Sequence, residues 1–197
     1  MLAAASLLWL LPCIAVAAES DPGVSDSLRL SAELFELGND TRDPLLMLAA
    51  ARLRQRVLPL EAVDKSPGWL SWRAMLEAAR SVSPGDTDVA RLAARIEGET
   101  LRGTVSGPMI STLRIEENGS YRATRRFRGG EHGVVYLEAA PQAALTLDIV
   151  DRGGRRLCTQ AASRGRALCR WAMAEDGDVS IRIGSETGAA DILLVIN

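Results

Sequence analysis

His132 is the only histidine in this 197-residue sequence, so any imidazole chemistry must use it. A general base needs its nucleophile within hydrogen-bond reach, and that partner normally comes with a recognisable motif. His132 follows Gly129-Gly130-Glu131 at the entrance to an apolar run, where a solvated turn residue is the plainer reading. No nucleophile elbow, zinc-protease helix motif or phosphate loop occurs anywhere in the chain. Carboxylates cluster tightly only at Glu116-Glu117 and Glu175-Asp176-Asp178, both beside turn residues. Glycoside hydrolysis needs two carboxylates across a cleft, and neither cluster looks built for that. We therefore expect no catalytic residue, no cofactor and no metal.

Arginine is the other chemistry on offer. Arg122, Arg125, Arg126 and Arg128 form one run, and Arg152, Arg155, Arg156, Arg164, Arg166 and Arg170 a second. Arg122, Arg125, Arg126, Arg128, Arg155 and Arg156 are the candidate polyanion patch. The signal is diluted, because 22 of the 23 basic residues are Arg, Lys65 being the exception. The plainer reading is solvated strand faces in an Arg-biased chain. Stacking aromatics are not interleaved with these runs, which disfavours nucleic acid. Lipopolysaccharide phosphates, an acidic glycan or an acidic partner protein fit better.

The elements that must position these residues begin with a leader. Leu2 to Ala18 is uncharged and centred on Leu7-Leu8-Trp9-Leu10-Leu11, with small residues at Ala15-Val16-Ala17-Ala18 before Glu19-Ser20-Asp21. That pattern is a secretory signal, 1–18, with cleavage at Ala17 or Ala18, too short to span a bilayer comfortably. No later segment is apolar enough to cross a membrane. The expected compartment is the periplasm or the cell exterior. Cleavage removes Cys13 and leaves Cys158 and Cys169, an even pair that an oxidising compartment turns into a disulfide. The polar stretch between them suits a hairpin loop or wider connection, with the bond formed across neighbouring strands.

Residues 19–101 read as helical. Ser27 opens a first helix that Gly38-Asn39 ends; Asp43-Pro44 starts a second, with Leu46, Ala49, Ala50, Leu53 and Val57 on one face. Ser66-Pro67 starts a third, carrying Trp69, Trp72, Leu76 and Ala79. A fourth runs from about Asp86 to Glu97 with Val89, Leu92, Ala93 and Ile96 inward. The second and fourth stripes correspond at a constant offset, so either stacked helical hairpins or a four-helix bundle is expected. Trp69 and Trp72 share a helix face with Leu76 and read as core rather than as a ligand platform.

Residues 102–197 change period. Leu145-Leu147-Ile149 and Val179-Ile181-Ile183 alternate with polar residues, while Ile192–Ile196 is continuously apolar. Turn signals at Asn118-Gly119, Gly129-Gly130, Gly153-Gly154 and Asp176-Gly177 separate them. Seven to nine short strands in an antiparallel β-sandwich follow, and the whole chain is α+β with two domains. Residues 19–101 hold 10 basic against 14 acidic groups and 102–197 hold 13 against 11, a charge complementarity that would help the halves dock. Trp171, beside Cys169, is expected to pack on the disulfide.

Residues 119–197 resemble the bacterial pre-peptidase C-terminal domain family. The motifs are Tyr121–Phe127 followed by Gly129-Gly130-Glu131, Val134–Leu137, Leu145-Thr146-Leu147-Asp148-Ile149-Val150-Asp151 with Gly153-Gly154, and Gly177 before Val179–Ile183. The resemblance implies a small β-sandwich appended to exported proteins, with an accessory or adhesive role. Some members bind calcium near an Asp-x-Asp strand, of which only Asp148 is present here. The expected function is a non-catalytic exported binding or scaffolding protein, whose partner is a protein or an envelope polymer. The alternative is an accessory subunit of an exported hydrolase, or a hydrolase with a carboxylate-only site. The leader predicts that the exported protein starts at Ala18 or Glu19. Intact-mass measurement checks this, and retention of the first seventeen residues would show an anchor instead.

Overall fold

The computed structural model describes residues 23–58, 71–99 and 108–197. The leader with Ala17 and Ala18, the Ser66-Pro67 start with Trp69, and the boundary at 101/102 lie outside the described residues. Within them the chain forms four helices, α1 Val24–Thr41, α2 Pro44–Val57, α3 Trp72–Val82 and α4 Thr87–Gly98. Asp43 caps α2 by accepting from the amides of Leu45 and Leu46 at 2.8 and 3.3 Å, with Pro44 in the first turn. Asp86 caps α4 in the same way, at 2.9 and 3.1 Å.

Three helical expectations are corrected. Ser27 does not open α1, which starts at Val24 behind Gly23 and buries Ser27 in its first turn. Gly38-Asn39 does not end α1, which continues to Thr41 and closes on Arg42 in the left-handed region (φ 55°). Gly38 is buried inside the helix, and a Cβ there would lie 3.0 Å from the Asp43 carbonyl, Leu46 Cβ and Met47 Cγ. Close approach to the start of α2, not helix termination, requires that glycine. The buried face of α2 is Met47, Leu48, Ala50, Ala51, Arg54 and Gln55, while Ala49 is exposed and Leu46, Leu53 and Val57 are half-buried. Two polar residues sit on the inner face, so an apolar stripe points to the wrong side. Trp72, Leu76, Ala79, Val89, Ala93 and Ile96 are buried as their spacing predicts; Leu92 is open to solvent.

Eight strands follow among the described residues: β1 Met109–Ile115, β2 Ser120–Phe127, β3 His132–Glu138, β4 Ala144–Asp151, β5 Arg156–Ala161, β6 Arg166–Ala172, β7 Gly177–Thr187 and β8 Ala190–Ile196. Their antiparallel pairs β1·β8, β2·β7, β3·β6 and β4·β5 are nested. The chain is thus one long ribbon doubled at the β4–β5 turn. Rolling that ribbon brings β3 to β8 and β4 to β7, giving sheet A in the order β1-β8-β3-β6 and sheet B in the order β2-β7-β4-β5. This is the jelly-roll form of the sandwich. The fold is α+β with a C-terminal antiparallel sandwich, as expected.

Two cores result. Val135, Leu137, Leu147, Ile149, Ile181, Ile183, Ile192 and Leu194 lie between the sheets. The other face of sheet A lies under the helices, where Tyr136, Leu193 and Val195 join Leu28, Met47, Met75 and Leu76 in one buried cluster. β8 is apolar without alternation because both of its faces are buried.

The bond between Cys158 and Cys169 is present, with Cα atoms 5.9 Å apart. It joins β5 to β6, which belong to different sheets, so it fastens the two layers together rather than bridging neighbouring strands of one sheet. Trp171 is in the same inter-sheet core, set edge-on to Phe127 with ring centroids 4.9 Å apart. Closing so short a loop restricts the unfolded chain by about 3 kcal/mol. Cys158→Ser with Cys169→Ser should lower the melting temperature by roughly 6–12 °C for a chain of this size. Calorimetry reads the shift, and two free thiols in the unfolded, unreduced protein would refute the bond.

Candidate functional site

Two regions carry the polar chemistry: the seam between helices and sheet A, and the outer face of sheet B. The seam is built on Arg54, a fully buried arginine of α2. Its Nη2 donates to Oε1 and Oε2 of Glu138 on β3 at 2.8 and 3.0 Å. Its Nε donates to the Ser31 hydroxyl on α1 at 3.2 Å, and Ser31 donates to the Ala50 carbonyl at 2.8 Å. The Tyr136 hydroxyl also donates to Glu138, at 3.0 Å. Burial, with the Glu138 charge adding to it, pushes the Tyr136 phenol well above its ordinary range and keeps it a donor.

Three arginines of the second run complete the seam. Arg166 forks Glu36 of α1 at 2.7 and 2.9 Å, Arg164 reaches the same carboxylate at 3.2 Å, and Arg170 pairs with Asp26. The Arg166 hydrogen bond outweighs burial and holds the Glu36 carboxyl below its usual range. Gly165, at φ +72°, lets the turn carrying these arginines press on the carbonyls of Ala139 and Ala140. The charge complementarity of the two halves thus becomes specific pairs. A cleft of about 380 Å³ opens beside them, walled by Ala32, Phe35, Met75 and Pro141 with Glu36 and Arg164. Its Glu36, Glu138, Arg164 and Arg166 are all held in pairs with one another or with Arg54.

The outer face of sheet B is different. Directly opposed residues share a face, so the register lays out its rows. One row is Arg122 (β2), Arg182 (β7), Asp148 (β4) and Thr159 (β5); the next is Thr124, Ser180, Val150 and Arg156. Among the described residues no helix packs there, and Arg122, Thr124, Arg126, Arg156, Thr159 and Arg182 are exposed. Asp148 accepts from the Thr159 hydroxyl at 2.6 Å and lies 3.8 Å from Arg156.

The candidate polyanion patch is spread over this geometry. Arg122 and Arg126 share the outer face on edge strand β2, and Arg156 stands on the opposite edge, β5. Arg125 turns toward the β1 rim, donating to the Thr124 carbonyl at 2.9 Å and approaching Met109 Sδ at 3.7 Å. Arg128 and Arg155 sit in turns beside Glu131 and Asp151, at 3.9 and 3.0 Å. Arg182, directly opposite Arg122, is the member that sequence clustering misses, because Ile181 and Ile183 flank it. The strict alternation of β7 is the signal that could place it outward. His132 is exposed at the start of β3. Glu116-Glu117 and Glu175-Asp176-Asp178 lie in and beside turns, with Asp176 accepting from the Gly129 amide at 2.9 Å. Among the described residues no group of three or more His, Cys, Asp or Glu is placed to hold a metal ion.

No family model and no curated protein matches the chain. The resemblance to pre-peptidase C-terminal domains therefore rests on its strand and turn motifs alone. Solved structures that share part of the shape include a mitogen from Yersinia pseudotuberculosis, 13% identical, covering 46% of this chain and 86% of that one with a TM-score of 0.33. PliG of Aeromonas hydrophila, a periplasmic inhibitor of g-type lysozyme, is 8% identical over 50% of this chain and 93% of its own, with a TM-score of 0.34. A carbohydrate-binding module solved with β-1,4-galactotriose is 14% identical over 44% and 68%, with a TM-score of 0.31. Likeness this loose says nothing of what this chain binds.

The seam yields its own prediction. Removing one member of a buried ion pair strands the other and costs about 3–5 kcal/mol, whereas replacing both with apolar groups is near neutral. Arg54→Met should destabilise by that amount, and Arg54→Met with Glu138→Leu should recover most of it. Denaturant melts of the parent, Arg54→Met, Glu138→Leu and the double variant decide; additive losses would contradict the coupling.

Proposed function

We propose that this chain is an exported, non-catalytic binding protein that meets an envelope polymer through the outer face of sheet B. One observation carries the reading: among the described residues the sandwich is covered on one side and open on the other. The helical layer takes up the outer face of sheet A, and the seam carboxylates that could have served as acids or bases are committed to arginines. Sheet B turns outward rows of Arg, Thr, Ser and Asp side chains with Val150 among them, which suits hydrogen bonding to a polymer laid across the strands. Export is supported by the secretory pattern of the first 18 residues and by the disulfide, a bond that persists in oxidising compartments. No helix among the described residues is long and apolar enough to cross a membrane.

An accessory role beside an exported hydrolase is the second reading. It draws on Leu30 and Leu37 of α1 and Leu45 of α2, large apolar side chains left open on the helical layer. The two readings separate in one experiment. The mature protein is passed over immobilised envelope polysaccharides and lipopolysaccharide, and polymer length is followed by size exclusion. Retention with polymer length unchanged is the expected result. Shortening of the polymer would overturn the non-catalytic reading. Failure to bind any polymer, with capture of a peptidase by in-cell crosslinking, would favour the accessory role.

A further inference from the structure

We propose that Arg122 and Arg182 form a single oxyanion subsite on sheet B, and that its ligand is an acidic polysaccharide. This rests on the reading of sheet B as the contact face and names the chemistry recognised there. The two residues are directly opposed on β2 and β7, and both are exposed. Opposed Cβ atoms in antiparallel strands are about 5 Å apart, and like charges in that position destabilise the sheet. Among the described strand pairs no other two like charges are directly opposed. Arg114, Arg126, Arg156, Arg166 and Arg170 each have a carboxylate within 4.0 Å. Arg122 and Arg182 have none among the described residues. Asp148 stands across from Arg182 on its other side, but its hydrogen bond comes from Thr159 and its nearest cation is Arg156.

An anion between the two guanidinium groups would turn that repulsion into two charge-assisted contacts, since each planar fork can grip a carboxylate, sulfate or phosphate in bidentate fashion. Thr124 and Ser180, opposed in the adjoining row, add two hydroxyls for neighbouring sugar oxygens. Arg126 does not extend the site, because Asp178 is directly opposite it and Asp176 lies 3.9 Å away. The aromatics of β2, Tyr121 and Phe127, are packed in the inter-sheet core, and no aromatic side chain lies on the outer rows. Neither a nucleobase nor a neutral sugar ring finds a stacking platform here. Recognition must come from charge and hydrogen bonds, which selects an acidic glycan over nucleic acid.

The test uses the mature protein with Arg122→Gln, Arg182→Gln, the double variant, and Arg114→Gln as an exposed control. Binding is measured by titration calorimetry in dilute salt against polygalacturonate, dextran sulfate, a phosphorylated dextran, neutral dextran and single-stranded DNA. Polygalacturonate, dextran sulfate and phosphorylated dextran separate carboxylate, sulfate and phosphate as the source of the anion. The double variant should lose about ten-fold or more in affinity for the preferred acidic glycan, the scale expected for a charge-assisted contact. The control should stay close to the parent, and the double variant should melt no lower than the parent because a like-charge pair has been removed. Acidic-glycan binding that survives the double substitution would overturn this subsite while leaving sheet B available as the contact face. Tighter binding to DNA would overturn the ligand class. No binding to any polymer would overturn the subsite and the contact-face reading together.

Discussion

A charged arginine with no solvent contact is the interaction on which the rest of this structure depends. Desolvating Arg54 and Glu138 costs several kcal/mol per ion, and their attraction offsets that only if the geometry is good and the remaining polar atoms are satisfied. Here Glu138 receives both Arg54 and the Tyr136 hydroxyl, and Ser31 takes the Arg54 Nε. Those partners come from α1, α2 and β3, so the network forms only when the helices sit on sheet A in one register. An apolar seam would tolerate sliding; this one does not. The outer pairs of Glu36 and Asp26 with Arg166, Arg164 and Arg170 reinforce the same placement from the solvent side, where each contributes less.

Fixing the helices on one sheet decides the character of the other. β3 and β8 are buried on both faces, so Tyr136, Leu193 and Val195 can be large and apolar on the side that a sandwich alone would leave wet. β4 and β7 keep strict alternation, with Leu147, Ile149, Ile181 and Ile183 inside and Thr146, Asp148, Ser180 and Arg182 outside. The same asymmetry separates the arginines by task. Those near β6 clamp the helical layer, and Arg122 and Arg126 of β2 and Arg182 of β7 face outward.

That difference in period is legible in the amino-acid sequence itself. Alternation in Leu145–Ile149 and Val179–Ile183, the unbroken run Ile192–Ile196, the Asp43-Pro44 and Asp86 starts and the glycine turns all correspond to elements of the fold. What is not legible follows from long-range contacts. Arg54 and Gln55 lie on the buried face of α2, so hydropathy rotates the expected stripe away from Met47 and Leu48. Gly38 looks like a stop because its neighbour across the gap, the start of α2, is invisible to local reasoning. The disulfide pair is evident from its count, but its passage between sheets depends on the rolled ribbon. The Arg122–Arg182 pair joins residues far apart in the chain that only the β2·β7 register brings together.

On the proposed reading the helical layer is structural, and the face of sheet B that the described residues leave open meets the ligand. Heteronuclear NMR of the labelled mature protein, titrated with the acidic glycan it binds best, tests this most directly. Perturbed amide and arginine side-chain signals are expected on β2, β7 and β4, centred on Arg122 and Arg182, with α1 to α4 undisturbed. Shifts concentrated instead on Phe35, Met75 and the helices around the seam cleft would contradict it.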